Sequence, residues 1–428
     1  MTTVDRSAAR TAAQPPGVSR RRLLAAAAAA GAGGLAAGAA GGAFVQESVR
    51  DEPAALATVG ATRVPFHGVH QAGITTPLQA AGHLAAFDLT PGASPAATRR
   101  EAAALLRRWS DTAARLTAGE PAAGHDTGIA RDAGPSSLTV TFGFGRGLFD
   151  RTGLAARRPA ALAPLPPFSA DALDARRSDG DLWVQIGADD ALVAYHALRA
   201  LIRDAGQAAA VRWQVRGFNR TPGATARPRT ARNLMGQVDG TNNPRPTDED
   251  FAARIFVPAG GDPDWMAGGS YAVYRRIRML LDRWEHLSPA RQERVIGRRR
   301  SDGAPLSGGP DAQESTPVDL DGRLADGTLA IAGDAHVRVA APESNGGAAM
   351  LRRPFSYDEG LRDDGAPDAG LLFVAWQADP ARGFVPVQRK LDRGDGLSRF
   401  LSHEASALWA VPGGAAAGEY VGQRLLEG

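Results

Sequence analysis

Apolar residues recur with two different periods along residues 80–220, and the changes of period divide this part of the chain into strands and helices. Leu105, Trp109, Ala113 and Leu116 follow helical spacing, whereas alternating or continuous apolar runs predict strands. The predicted elements are strand His83–Leu89, helix Ala97–Ala118, strand Ser137–Phe144, a Pro/Ala-rich loop at 156–178, strand Asp181–Ala188, helix Asp189–Ala205 with Asp189 as N-cap, and strand Val211–Phe218. This is the β-α-β-β-α-β order of a ferredoxin-like domain.

The second half of the chain repeats this order of elements without repeating the sequence. The predicted elements are strand Ser270–Leu280, a short helix Pro289–Arg299, strand-like segments Ala335–Ala341 and Leu351–Tyr357, strand Gly370–Gln377, helix Leu391–Ser406 and strand Ala407–Val411. The apolar run at 370–377 is nearly continuous, which is typical of a strand buried on both faces. The sequence therefore predicts an α+β protein with two ferredoxin-like domains and antiparallel sheets, spanning 61–225 and 226–428.

The first 44 residues have the organisation of an export signal. Arg20, Arg21 and Arg22 precede two leucines, and an uncharged stretch rich in Ala, Gly and Leu follows. This arrangement predicts a secretory signal, and the paired arginines are typical of the twin-arginine (Tat) pathway. A membrane anchor is the alternative, because the stretch is long enough to span a bilayer. We expect a periplasmic, secreted or cell-surface protein, with a polar linker at 45–60.

Composition removes several classes of site and partner. The chain of 428 residues has no cysteine, which excludes disulfides, cysteine-ligated zinc, iron–sulfur clusters and thiolate-bound haem. Its net charge is +3, but five arginines and one acid fall within residues 1–43, and the remainder has 44 basic and 45 acidic residues. The basic balance thus belongs to the N-terminus, and we expect no binding to nucleic acid.

Three short segments contain residues of chemical interest, and each also has a structural explanation. Asp239 lies in the sequence GQVDG at 236–240, where glycines let the backbone approach a flat ligand, although an Asx-type turn also explains the pattern. For His336 the alternative is a structural histidine. Arg352 and Arg353 begin a predicted strand, so that they point to opposite faces and one can face inward; surface arginines are the alternative. Together, a histidine for iron, an acid for proton transfer and an arginine for charge stabilisation are what a haem peroxidase needs.

The chain resembles the dye-decolourising (DyP-type) haem peroxidases, in particular their Tat-exported bacterial branch. The resemblance covers about residues 60–415 and is most specific in the GxxDG motif at 236–240, which is followed by His336 and then by Arg352. Further matching segments are 65–68, 70–74, 141–145, 181–186, 265–271, 333–336, 351–353 and 370–376. The resemblance implies ferredoxin-like domains of the dimeric α+β barrel type, with one haem b per chain in the C-terminal domain.

The resemblance also implies roles for individual residues. His336 corresponds to the proximal ligand of the haem iron, Asp239 to the distal acid and Arg352 to the distal arginine. Further positions correspond to stretches along the haem: Gly240, Thr241, Asn242, Ala341, Pro342 and Glu343.

Two features of this expected site involve charged residues outside the motif. Glu343 stands where a cation is usual in the family, and Arg338 is the candidate that compensates for it. The proximal histidine of a haem protein normally has a carboxylate partner. Asp395 is the preferred candidate for that partner, and Asp392 is the alternative.

These roles imply a haem b peroxidase that reduces hydrogen peroxide and oxidises dyes, phenols or other reductants in one-electron steps. Bulky reductants do not reach a buried haem, so electrons are expected to enter through surface aromatic residues, with Trp265, Trp284 and Trp376 as candidates and core packing as the alternative for each. The alternative function is that of a deferrochelatase, which releases iron from haem and leaves the porphyrin intact, in an iron-uptake system with partner proteins. A binding module of the same fold without haem is a third possibility. A homodimer is expected by family analogy.

Overall fold

The computed structural model describes residues 60–124, 126–224 and 230–428. In the N-terminal half the strands are β1 (Ala81–Leu89), β2 (Thr139–Phe144), β3 (Leu182–Ala188) and β4 (Ala209–Phe218), and the helices are α1 (Pro95–Thr117), α2 (Arg146–Thr152) and α3 (Ala191–Ala205). Short 3₁₀ helices lie in the segment predicted as a Pro/Ala-rich loop, at Ala155–Arg157, Ala160–Leu162 and Ala175–Arg177.

The C-terminal half contains the remaining elements. Its strands are β5 (Ser270–Met279), β6 (Leu351–Arg352), β7 (Phe355–Leu361), β8 (Pro367–Gln377) and β9 (Leu401–Val411). Its helices are α4 (Phe251–Ile255), α5 (Leu281–Glu285), α6 (Pro289–Ile296), α7 (His336–Ala340), α8 (Phe384–Gly394) and α9 (Gln423–Leu426), with 3₁₀ helices at Asp264–Met266, Pro342–Asn345 and Gly396–Phe400.

Both halves form an antiparallel sheet with the same order of strands. The order is β2-β3-β1-β4 in the N-terminal half and β7-β8-β5-β9 in the C-terminal half. In each sheet the first strand lies between the third and the fourth, which is the ferredoxin-like arrangement. The predicted α+β class and ferredoxin-like order are therefore confirmed.

The two sheets join into a closed ring of strands. β2 pairs with β9 at Phe144 and Ala410, and β4 pairs with β7 at Phe218 and Ser356. Strand β6 pairs with the same edge of β8 as β7 does, so that the predicted strand at 351–357 is one strand interrupted after Arg352. The ring removes the free edges that an open sheet would expose.

Aromatic side chains from both halves fill the interior of the ring. Trp183 of β3 stacks on Trp409 of β9 with ring centroids 5.9 Å apart, and its ring also lies 5.9 Å from that of Trp376 on β8. All three side chains are fully buried. Outside the N-terminal sheet, Trp109 of α1 donates from Nε1 to the carbonyl of Leu201 on α3 at 2.9 Å, which fixes the two helices to each other.

One predicted strand is a helix. The segment Ala335–Ala341 forms the short helix α7, with Ala335 and Val339 buried at helical spacing. The valines alternate with polar residues and favour a strand by their branching, which is why the pattern is misleading. Because a residue before proline avoids the helical region, Ala341 is extended and α7 ends before Pro342.

A predicted helix near the C-terminus has the wrong bounds. Instead of Leu391–Ser406, the chain forms α8, a 3₁₀ helix and then β9. Asp395 separates the two helices, because its backbone is extended and its side chain accepts a hydrogen bond from the N–H of Leu397. The N-cap of α3 is also shifted by one residue: Asp190 accepts from the N–H of Leu192 at 2.7 Å, while Asp189 accepts from the N–H of Ala80.

The predicted export signal at 1–44 lies outside the described residues, as does the predicted linker at 45–60 apart from Gly60. The domain bounds of 61–225 and 226–428 stay predictions. In the part of the chain that the structure describes, we find no helix with the length and apolar character needed to cross a membrane.

Candidate active site

His336 begins helix α7 and lies beside the carboxylate of Asp395. Nδ1 of the imidazole is 2.8 Å from Oδ2 of Asp395. The carboxylate is itself fixed, because its Oδ1 accepts from the N–H of Leu397 at 2.9 Å and its side chain is only 2% exposed. The pair therefore holds the imidazole in one orientation, with Nε2 directed away from Asp395.

Charged residues on several sides act on the imidazole of His336. Burial lowers the pKa of the imidazole, but the carboxylate of Asp395 more than offsets this and raises the pKa above its usual value of 6.5. The charges of Arg352 and Asp239 act on the same ring with opposite signs. His336 lies deep in the protein, yet 26% of its side chain is accessible. The imidazole is therefore accessible in part and lies within electrostatic reach of Arg352 and Asp239.

Asp392, the alternative partner of His336, points elsewhere. Its carboxylate accepts from the N–H and the hydroxyl of Ser169 at 2.9 and 2.8 Å, and from the N–H of Ala170 at 3.1 Å. Burial opposes the ionisation of Asp392, but the hydrogen bonds from Ser169 outweigh it and hold the pKa below its usual value. Asp392 thus attaches α8 to the segment before β3.

Asp239 lies between two turns made by glycines. Gly236 and Gly240 have φ angles of 76° and 107°, in the region that favours glycine. Both oxygens of the Asp239 carboxylate accept hydrogen bonds: Oδ2 from Nδ2 of Asn233 at 3.2 Å, and Oδ1 from Nη1 of Arg352 at 3.3 Å. The GxxDG motif therefore presents a carboxylate that is paired with the predicted arginine.

Arg352 and Arg353 point in opposite directions, as the alternation of a strand requires. Arg352 faces Asp239 and keeps 26% of its side chain exposed. Arg353 is buried and donates to backbone carbonyls of Gly73 and Pro77 and to Oε1 of Gln79. Burial lowers the pKa of Arg353 to about 10. One arginine thus pairs with the acid of the GxxDG motif, while the other fastens the C-terminal half to the N-terminal one.

Comparison with known proteins identifies the family. A model described as "Dyp-type peroxidase, N-terminal" matches residues 71–219, and one described as "Dyp-type peroxidase, C-terminal" matches residues 230–416. The chain belongs to the Dyp-type peroxidase family.

Curated relatives and solved structures agree with this assignment. A dye-decolorizing peroxidase of Thermobifida fusca is 48% identical over 86% of each chain, and a deferrochelatase of Escherichia coli K12 is 35% identical over 85% of this chain and 87% of its own. The structure of ferric DtpA from Streptomyces lividans has a TM-score of 0.84 and 69% identity, and covers 87% of this chain and 99% of that one. A variant of DypB from Rhodococcus jostii in complex with haem has a TM-score of 0.59 and 25% identity, and covers 81% and 98%. The predicted family, fold and enzyme class are confirmed.

The remaining predicted positions of this Dyp-type peroxidase differ in exposure. Gly240 and Thr241 are half-buried beside Asp239, but Asn242 is exposed. In the 3₁₀ turn after α7, Ala341 is buried, Pro342 is half-buried and Glu343 is exposed.

Arg338 has a structural task in this peroxidase. Its Nε donates to the carbonyls of Ile331 and Ala332 at 3.1 and 3.2 Å, and its Nη2 donates to those of Leu320 and Ile331. These bonds fasten α7, and with it His336, to the preceding loop. The compensation of Glu343 by Arg338 stays a prediction.

Of the two explanations for the three tryptophans of the peroxidase, the structure supports core packing. Trp265, Trp284 and Trp376 are 3%, 1% and 0% exposed. Trp265 and Trp284 donate from Nε1 to the carbonyls of Arg157 and Met235 at 3.1 and 2.9 Å, and Trp376 belongs to the aromatic interior of the ring. Large aromatic side chains contribute most when they are buried, and all three pack in the core.

Two asparagines of the peroxidase site were missed by sequence reasoning. Asn233 bonds to Asp239, and Asn243 bonds to Arg352. Asn243 follows Asp239 by only four positions, so that its position in the same turn could have indicated that it belongs to the site. Asn233 lies before the motif. Asparagines are common in turns, so that its position in the sequence did not indicate a role in the site.

Proposed function

We propose that this protein is a haem b peroxidase that uses hydrogen peroxide to oxidise dyes, phenols or other reductants in one-electron steps. The observation that carries the proposal is the proximity of two pairs: the charges of Asp239 and Arg352, which contact each other, act on the imidazole of His336, which contacts Asp395. A haem would occupy a cavity between the two pairs. All four residues belong to the C-terminal half, so that one haem per chain would lie there. The solved relatives described as ferric and as a complex with haem support the choice of cofactor.

The side chains around the cavity fit a haem. Nδ1 of His336 is hydrogen-bonded to Asp395, so that Nε2 is the atom available to iron. A carboxylate partner of this kind raises the basicity of a ligating imidazole. In the other pair, Asp239 and Arg352 are 20% and 26% exposed, which lets both contact a small molecule. Gly236 and Gly240 have no side chain that would keep the backbone away from a flat ring.

Asp239, Arg352 and Asp395 would each have a different role in the reaction with peroxide. Bound haem would supply an iron that binds peroxide and exchanges electrons with it. The carboxylate of Asp239 would take a proton from one peroxide oxygen and return it to the other, because a carboxylate both accepts and donates protons. Arg352 stays protonated and would stabilise negative charge on the departing oxygen through its Nη atoms. Asp395 would keep Nε2 of His336 electron-rich.

The second candidate function is the release of iron from haem with the porphyrin left intact. The relatives named deferrochelatase favour it, and partner proteins of an iron-uptake system belong to this alternative. Both activities need the same site, so that the reaction itself has to decide between them.

The proposal extends to the location and assembly of the protein. The pair Arg20 and Arg21 supports export by the Tat pathway to the periplasm, the cell surface or the medium. Family analogy supports a homodimer.

The test uses the purified protein with its haem. A Soret band, steady oxidation of a dye on addition of hydrogen peroxide and an unchanged haem content are the expected results. Release of fluorescent, iron-free porphyrin without dye oxidation would favour the deferrochelatase. A protein that takes up no haem, and so shows no Soret band after incubation with it, would contradict both functions.

A further inference from the structure

The side-chain amide of Asn243 forms three hydrogen bonds with Arg352. Its Nδ2 donates to the carbonyl of Arg352 at 2.8 Å, and its Oδ1 accepts from the N–H of Arg352 at 3.1 Å and from Nε at 3.2 Å. One amide thus contacts both the backbone and the guanidinium of the same residue. An Asn side chain has a donor and an acceptor at its end, and both are used here.

The turn that presents Asp239 also places Asn243. The N–H of Asn243 donates to the carbonyl of Gly240 at 3.1 Å, and Gly240 has the positive φ that lets the chain fold back at this point. As a result, the residue that accepts from Nη1 and the residue that accepts from Nε come from a single turn. Any displacement of this turn would move both partners of Arg352 together.

The backbone of Arg352 lies in a short edge strand. Strand β6 consists of Leu351 and Arg352, and the N–H of Arg353 still donates to the carbonyl of Val374 at 2.8 Å before pairing with β8 is interrupted and resumes at Phe355. Pro354 contributes no N–H to the ladder. The two backbone contacts from Asn243 satisfy the N–H and the carbonyl of Arg352 on this edge strand.

The contacts of Arg352 leave one end of its guanidinium open. Nε bonds to Asn243 and Nη1 to Asp239, whereas no hydrogen bond from the described residues reaches Nη2. Arginine has a planar group with fixed donor directions on a long side chain with many rotamers. Holding Nε and Nη1 therefore fixes the direction of Nη2.

We propose that Asn243 is the positioning residue for Arg352: it holds the guanidinium so that Nη1 meets Asp239 and Nη2 faces the cavity where peroxide reacts. The role in the reaction rests on the proposed peroxidase function, but the positioning itself does not. Asn243 acts through Arg352 and does not itself need to contact peroxide.

The first test is a comparison of rates. Asn243→Ala should retain its haem and its optical spectrum but react with hydrogen peroxide about 10- to 100-fold more slowly, because a displaced catalytic group costs rates of this order. Thr247→Ala, at an exposed position further along the same loop, is the control and should react as the wild type does. Asn243→Ser, which is too short to bridge the backbone and Nε, should behave like Asn243→Ala and serves if that variant folds poorly.

A double variant separates positioning from general damage. In a protein that already has Arg352→Leu, Asn243→Ala should slow the reaction no further, because its effect passes through the missing guanidinium. A loss of the same size in both backgrounds would overturn the proposal, as would an Asn243→Ala protein that reacts at the wild-type rate.

A crystal structure of haem-free Asn243→Ala tests the positioning without any activity. The guanidinium of Arg352 should leave Oδ1 of Asp239 in the variant and remain there in Thr247→Ala. An unmoved guanidinium would overturn the proposal. If the wild type fails to react with peroxide, the proposed function fails, and this structure still decides whether Asn243 positions Arg352.

Discussion

Nδ1 of His336 and Oδ2 of Asp395 lie 2.8 Å apart, although 59 positions separate the two residues in the chain. The contact exists because Asp395 ends α8 and caps the following 3₁₀ helix, which directs its second oxygen to α7. A histidine with such a partner is oriented and basic, and this is the form in which it binds a metal best.

Asp395→Asn should weaken the binding of haem by about 10- to 100-fold, because the carboxylate that orients and polarises His336 is lost. The reduction potential of the haem iron should rise, since a less basic ligand stabilises the ferric state less. Titration of the haem-free protein with haem and a spectroelectrochemical measurement check both. Asp392→Asn is the matched control, because Asp392 contacts Ser169 instead, and it should change neither quantity. Equal effects of the two substitutions would contradict the assignment of Asp395.

Arg352→Leu and Asp239→Asn should affect the reaction with peroxide differently. The arginine supplies a permanent charge, so its loss should slow the reaction at every pH, by about 10²–10³-fold. The carboxylate relays a proton, and water or the peroxide anion can replace it in part at higher pH. Stopped-flow rates between pH 4 and 9 measure both variants. A normal rate in Arg352→Leu, together with an inactive Asp239→Asn, would assign the catalysis to Asp239 alone.

Acid should destabilise the protein through His403. Burial, and then the charge of Arg275, lower the pKa of this histidine to about 3, whereas the same group in the unfolded chain titrates near 6.5. Its neutral form therefore stabilises the fold above pH 6.5, and this stability is lost as the pH falls towards 3, at roughly 1.4 kcal/mol per pH unit. His403→Gln should flatten the fall of the free energy of unfolding between pH 6.5 and 4, as measured by denaturant titration. The exposed His67→Gln is the control, and an equally steep fall in His403→Gln would refute the prediction.

Replacement of Arg20 and Arg21 by lysine should leave the protein in the cytoplasm. The substitution keeps the charge, so that it tests recognition of the arginine pair by the export machinery and not basicity. Cell fractionation and immunoblotting measure the distribution. Lysines in place of Arg6 and Arg10 should not change export, and normal export of the Arg20/Arg21 variant would exclude the Tat pathway.

The fold was predictable to the extent that it depends on local pattern. Alternating strands and one long amphipathic helix determine the order of elements in the N-terminal half, and that order agrees with the structure. The errors fall where a local pattern and a tertiary constraint compete. The valines around His336 favour a strand, but Pro342 and the contacts of Arg338 hold this segment as a short helix.

The site was predictable to the extent that a motif marks it. His336, Asp239 and Arg352 follow from the residue types and from the resemblance, and the structure brings Asp239 and Arg352 together. Asp395 and Asp392 lie only three positions apart, so that the sequence alone does not show which carboxylate contacts His336. The fold decides this, because the end of α8 turns Asp395 towards α7. The contact between Asn243 and Arg352 joins residues 109 positions apart, and its geometry exists only in the folded chain.

If His336 is the ligand of a haem iron, the optical spectrum of His336→Gly has to differ from that of the wild type. Nε2 is the atom that the structure leaves available, so the variant should lose haem or bind it with a shifted Soret band. Added imidazole should fill the space of the missing side chain and restore the wild-type spectrum. His70→Gly, a change at an exposed histidine of the N-terminal half, should retain the wild-type spectrum. A His336→Gly protein with full haem content and an unchanged Soret band would show that His336 does not bind the iron.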